Sequence, residues 1–214
     1  MMSRRPVLKQ ALALASMTAL AGCQIPGAGD PPQLFTLTPK SAFAADLPTV
    51  EWQLIVETPV AAAGLSTSRI ALQRSPLELD YYARANWTDT APLMVQTLLI
   101  ESFENSKRIV AVSRESTNLR ADYVLKTDLR EFQAQYDGAG PPLVHVRLSG
   151  KLVRLPDRTI IASKSSELSL RAAGGDMQSI VGAFDEALGK VLREHVEWTL
   201  RAPATTRRHQ AASG

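Results

Sequence analysis

The sequence predicts an α+β protein: a single domain with an antiparallel or mixed sheet and two main helices packed on one face. Three observations predict it. Apolar and polar residues alternate over 123–130 and 144–152, on either side of the flexible link Asp137-Gly138-Ala139-Gly140-Pro141-Pro142, which is the period of a half-buried strand pair. Met177, Ile180, Val181, Phe184, Leu188, Val191, Leu192, His195 and Val196 recur at three- and four-residue steps, which is the period of an amphipathic helix. The order of elements (strands, helix, strands, helix) then gives a sheet with its helices segregated to one side. With 214 residues, 45% hydrophobic and 21% charged, the chain has the composition of an ordinary globular protein. That argues against wholesale disorder, a collagen-like repeat or a polytopic membrane protein.

The elements follow in order. Phe35-Thr36-Leu37 reads as a short strand, and Trp52-Gln53-Leu54-Ile55-Val56 as a stronger one closed by Pro59. Arg69-Ile70-Ala71-Leu72-Gln73 and Leu77-Glu78-Leu79-Asp80-Tyr81 form a hairpin around Arg74-Ser75-Pro76. Between them, residues 60–68 are apolar and small, and admit two readings: an exposed loop that docks a partner, or an extended loop packed over the sheet. Thr88-Asp89-Thr90 offers capping oxygens to a helix through Leu93, Val95, Leu98, Leu99, Ile100 and Phe103 that ends near Asn105. Leu155-Pro156-Asp157-Arg158 is a tight turn with proline at its second position, and a last strand covers 159–170. The second helix begins after Asp176. Gln178, Asp185, Glu186, Lys190, Arg193, Glu194 and Glu197 lie opposite its stripe, so the stripe is expected to face the protein's own core.

The ends differ from the middle. Arg4, Arg5 and Lys9 precede an apolar stretch from Ala11 to Ala21, and the first 22 residues hold no Asp or Glu. The stretch is too short to span a hydrocarbon core of roughly 30 Å as a helix and fits a secretory signal. Removing its three cations from 24 basic residues leaves 21, equal to the 21 acidic ones, so no nucleic-acid footprint remains. Small residues lead to the one cysteine, in Leu20-Ala21-Gly22-Cys23, which resembles the lipobox of bacterial lipoproteins. In those proteins the thiol receives a diacylglyceryl group and the peptide is cut before the cysteine, here Cys23. Gln24, where Asp resembles an inner-membrane retention signal, directs the protein by analogy to the inner leaflet of the outer membrane, facing the periplasm. The organisation expected is a signal peptide at 1–22, a lipidated tether at 23–33 with three prolines and two glycines in 24–33, a domain at 34–201 and a disordered tail at 202–214.

Catalytic equipment is sparse. The histidines are His145 on a polar strand face, His195 at the edge of the helical stripe and His209 in the tail, none with a carboxylate or cysteine at metal-ligand spacing. Hydrolase, metalloprotease, phosphate-loop and dinucleotide signatures are absent. Glu78 with Asp80, and Asp185 with Glu186, are the carboxylate pairs. Catalysis would need one of a pair buried and protonated, and solvated faces account for both more simply. The expectation is a protein that is not an enzyme, with no catalytic, metal or cofactor-binding residues and one modified residue, Cys23.

The chain resembles the ABC-type transport auxiliary lipoprotein family, to which the paraquat-inducible protein C-like lipoproteins belong. The resemblance is carried by the lipobox, Phe35-Thr36-Leu37-Thr38-Pro39, Val56-Glu57-Thr58-Pro59-Val60 and Ile70-Ala71-Leu72-Gln73-Arg74. Tyr81 to Trp87, Ala121-Asp122-Tyr123-Val124-Leu125 and Ala183-Phe184-Asp185-Glu186-Ala187-Leu188 complete it over about residues 20–200. Phe35 stands where tyrosine is common. The resemblance implies a non-enzymatic subunit that docks or receives a periplasmic MCE-domain carrier of hydrophobic cargo, in a system with an ABC permease and ATPase, for phospholipid trafficking between membranes. It leaves open whether the domain itself binds phospholipid or forms a homo-oligomer. The alternative is a structural lipoprotein that assists assembly of another cell-envelope complex.

Overall fold

The computed structural model describes residues 31–115, 120–138 and 140–212, with side chains described to residue 203. The strands are β1 (Gln33–Phe35), β2 (Val50–Val56), β3 (Val60–Ala61), β4 (Arg69–Ser75), β5 (Glu78–Trp87), β6 (Ile109–Arg114), β7 (Tyr123–Gln135), β8 (Leu143–Arg154) and β9 (Thr159–Arg171). The helices are α1 (Ala91–Ser106) and α2 (Met177–Ala212). Among the described residues the nine strands form one mixed sheet, with both helices packed on it as the sequence predicts.

The spine is β7. Along one edge it pairs antiparallel with β8, which pairs antiparallel with β9. Along its other edge three short strands lie end to end, all parallel to it: β2 beside Tyr123 to Leu125, β3 beside Asp128 and Leu129, and β4 beside Gln133 to Gln135. From β2 the sheet extends to β6, and from β4 to β5 and β1. The β7–β8 link turns through Gly138 and Gly140 at φ of 86° and 85°, a left-handed region that glycine enters without a steric cost.

The alternation in β8 sorts the two faces. Val144, Val146, Leu148 and Leu152 are fully buried and belong to the core; His145, Arg147, Ser149 and Lys151 point the other way. Helix α2 lays Ile180, Phe184, Leu188, Val191, Leu192 and Val196 onto that core, so its stripe faces the protein's own sheet. Trp87, Phe132 and Phe184 meet with ring centroids 5.0 to 5.5 Å apart, in tilted or edge geometry that adds about 0.5–1.5 kcal/mol per pair beyond area burial. The segment after β1 crosses both helices. The Thr38 and Ala44 amides donate to Asp185 and Glu197 of α2, and the Lys40 amide donates to Ser102 of α1.

Several details differ from expectation. The first strand is Gln33–Phe35, and Thr36 and Leu37 have already left the sheet. Strands β3 and β6 are added. Thr90 sits at the N-cap of α1 but makes no side-chain cap bond; Pro92 in the first turn has no N–H to satisfy, and the Ala91 amide donates to the Thr67 carbonyl. By contrast Asp176 does cap α2, accepting from the Ser179 amide at 2.9 Å. Helix α2 runs on to Ala212 with Pro203 in its interior, through residues where the sequence places a disordered tail. Ala202 and Pro203 are buried.

Candidate functional site

The sheet face turned away from the helices carries the polar chemistry of the domain. Register places its side chains in rows across β7, β8 and β9: Gln133, His145 and Ser169; Glu131, Arg147 and Glu167; Asp128, Ser149 and Ser165; Lys126, Lys151 and Ser163. The last row changes character. Ile55 of β2, Val124, Val153 and Ile160 stand in register across four strands. Val124 and Val153 are buried yet lie outside the main core cluster. The row floors a pocket of about 470 Å³ that is also lined by Glu57, Lys126 and Arg158. Lys126 Nζ lies 2.6 Å from Glu57 Oε1 at its rim. A pocket of that size, apolar at its base and charged at its edge, suits a side-chain cluster or an amphiphile.

His145, Glu131 and Glu167 bring potential ligand atoms within 4.8 Å of one another. The Arg147 guanidinium already lies 3.6 Å from each carboxylate, so any cation there would have to compete with a resident positive charge. His145 Nδ1 shares a 2.8 Å hydrogen bond with Ser169 Oγ. The group is an ion-pair ladder on a half-exposed strand face.

His195 lies deeper than the sequence suggests. It is fully buried at the α2–sheet contact, above Gly150, where a β-carbon would come within 3.1 Å of its ring. Its Nδ1 bonds to the Val191 carbonyl at 3.1 Å, so that nitrogen carries the proton and Nε2 is bare. Burial, and then the nearby Lys164 charge, push its pKa down to about 4. It is a neutral core group. Burial pushes Glu194 up, but bonds from Ser166 and Lys164 outweigh it and leave its pKa lowered.

The carboxylate pairs separate. Glu78 and Asp80 are exposed on β5, where Asp80 accepts from the Tyr81 amide. Asp185 holds the Thr38 amide and hydroxyl, and Glu186 pairs with Lys190 four residues on. Residues 60–68 divide: Val60 and Ala61 join the sheet as β3 beside β7, with the Val60 side chain exposed, and the rest folds back over the β4–β5 arm. Leu65 is buried, the Tyr81 hydroxyl donates to the Gly64 carbonyl, and the Trp87 amide donates to Ser68. Cys23 and the segment 1–30 lie outside the described residues, as does the His209 side chain. The apolar row was missed in sequence because its members come from four strands, and only register assembles them.

The family of ABC-type transport auxiliary lipoprotein components matches residues 34–196, which is most of the described domain. The chain belongs to that family. An uncharacterized protein of Bradyrhizobium diazoefficiens is 32% identical over 188 residues, 86% of this chain and 50% of that one, so this chain spans about half the length of that relative. A crystal structure of a Xanthomonas campestris protein is 31% identical with a TM-score of 0.77, over 82% of this chain and 99% of that one. A hypothetical protein of Chlamydia trachomatis, 9% identical at a TM-score of 0.50 over 72% of this chain and 98% of that one, shares the fold alone. The family is one of lipoprotein components auxiliary to ABC-type transport. Among the described residues no helix is long and apolar enough to cross a membrane, and a lipoprotein anchor needs none.

Proposed function

We propose that this protein is a non-enzymatic, periplasm-facing subunit of a lipid transport system in which an ABC permease and ATPase work with an MCE-domain carrier. Lipid on Cys23 holds it to the inner leaflet of the outer membrane, and it docks or receives the carrier so that phospholipid passes between membranes. The reading requires no cofactor beyond that covalent lipid. The observation that carries it is the apolar row Ile55, Val124, Val153 and Ile160 with its charged rim, on a domain of the transport auxiliary family. Ile160 is 54% exposed on an otherwise polar sheet face, beside the buried Val124 and Val153, and so offers a partner an apolar point of contact. The reactive-looking side chains support the same view: Asp185 and Glu197 hold the crossing segment, His195 is packed neutral, and Glu131 and Glu167 are paired with Arg147.

Photo-crosslinking in cells tests it. A crosslinking residue at Ile160 should trap an MCE protein, one at Lys190 on the exposed side of α2 should not, and Val124→Asp should weaken the Ile160 crosslink. Crosslinks from Ile160 to components of a different envelope complex would move the assignment to an assembly lipoprotein.

A further inference from the structure

Three of the exposed large apolar side chains sit on one arm of the sheet. Leu77 is 100% exposed at the tip of the β4–β5 hairpin, Leu79 40% just behind it, and Leu34 64% on adjoining β1. Behind the tip stand tyrosines and arginines. Arg69 lies over the Tyr81 ring at 3.8 Å, Arg74 lies 5.5 Å from the Tyr136 centroid, and the Tyr82 and Tyr136 hydroxyls are 3.0 Å apart. The arm is braced: Leu79 lies so close over Gly64 that a β-carbon there would meet it at 2.6 Å, and Tyr81 bonds to the Gly64 carbonyl. Leucine at the end with tyrosine and arginine behind it is the order in which side chains enter a lipid interface.

Strand direction says what lies beyond the tip. β1 is parallel to β5, with Leu34 beside Asn86, and Asn86 is beside Arg69 at the start of β4. β4 is antiparallel to β5. Traced backward from Gln33, the chain therefore leaves the sheet in the direction in which β4 travels, toward Ser75 and the tip. Arg69 and Ser75 are six residues apart, about 20 Å along a strand. Cys23 precedes Leu34 by eleven residues, a reach of at most about 36–40 Å. Acyl chains on Cys23 can thus lie level with Leu77.

We propose that the β4–β5 hairpin tip is a second membrane contact, in which Leu77 enters the phospholipid leaflet that holds the Cys23 lipid and Tyr81, Tyr82 and Tyr136 sit at headgroup level. The proposal rests on the reading that Cys23 is lipidated. Between Arg69 and Asn86 three arginines face Glu78 and Asp80, an excess of one positive charge. The contact is therefore apolar, suits zwitterionic headgroups and is insensitive to salt. It also orients the molecule. Val124 is eleven residues along β7 from Gln135, which pairs with Gln73 of the hairpin, so the apolar pocket lies about 36 Å along the strand from that level, at the end of the sheet distant from the bilayer.

The test uses the lipidated full chain in vesicles of phosphatidylethanolamine with a minor share of phosphatidylglycerol. Lipidation consumes the one cysteine thiol, so Leu77→Cys and Asp157→Cys each present a single site for an environment-sensitive dye. Both positions are exposed, so neither substitution disturbs the core. The dye at 77 should emit to the blue and lose most of its quenching by aqueous iodide, at low and high salt alike. The dye at 157, at the far end of β7, should behave as in water. Equal quenching at the two sites overturns the proposal, as does protection at 77 that appears only when a partner protein is added. Label uptake by the wild-type chain would instead show a free Cys23 thiol and overturn the anchor reading. The same two labels in a Cys23→Ser background then decide the tip on its own.

Discussion

His195 gives the domain a dependence on pH that one substitution should remove. In the folded protein the ring sits at the contact of α2 with the sheet, its pKa pushed down to about 4 by burial and then by Lys164, against the upward pull of its bond to the Val191 carbonyl and of Glu194. In the unfolded chain an ordinary histidine titrates near 6.5. Between those values the unfolded state binds a proton that the folded state refuses, so stability rises with pH there. It is complete above about pH 6.5 and declines as pH falls toward 4. A difference of two to three units corresponds to about 3 kcal/mol in full, with a slope near 1.4 kcal/mol per pH unit where the mismatch is one whole proton. Urea unfolding of the 31–214 chain at steps from pH 5 to 7 reads that slope, above the range where most carboxylates titrate. His195→Gln and His195→Leu should each lose about one proton of linkage relative to wild type, whatever their absolute stability. Identical slopes in wild type and both variants would refute the reasoning, as would a histidine resonance assigned to His195 that titrates near 6.5.

Two further outcomes follow from packing. Phe184→Ala removes the ring shared by Trp87 and Phe132, and should cost about 3–5 kcal/mol as a fall in the urea midpoint with unchanged membrane fractionation. Asp185→Ala removes the acceptor of the Thr38 amide and hydroxyl. A loss of about 1–2 kcal/mol should show as faster hydrogen exchange over residues 36–47, with the sheet amides unaffected.

Much of the fold is written in local periodicity. The alternation of β7 and β8 and the stripe of α2 are long enough to be read, because one face of each is buried and the other wet. The elements that escape are those whose pattern is set by neighbours. β6, Ile-Val-Ala-Val-Ser-Arg, is half-buried at the sheet edge, so it shows no clean alternation. β3 is two residues that pair because β7 is long enough to take three partners along one edge. Beyond Arg201 the chain has no apolar stripe and Pro203 is unfavourable within a helix, yet α2 continues from a helix already fixed by the core, with Ala202 and Pro203 buried at the point of extension. The candidate surface follows the same logic. His195 reads as a stripe-edge residue, but Gly150 on β8 leaves the hollow that buries it. Ile55, Val124, Val153 and Ile160 are separated by up to 105 residues in the chain, and no window of sequence brings them together.

The measurement that bears most directly on the account is a crosslinked pull-down from native membranes, comparing wild type with Cys23→Ala and identifying proteins and bound lipid by mass spectrometry. Docking of a transport carrier at the outer membrane requires that wild type bring down an MCE protein with its permease, and that Cys23→Ala lose both outer-membrane fractionation and that partner. Recovery of a different envelope complex would contradict it, as would wild type fractionating with outer membrane yet bringing down no transporter component.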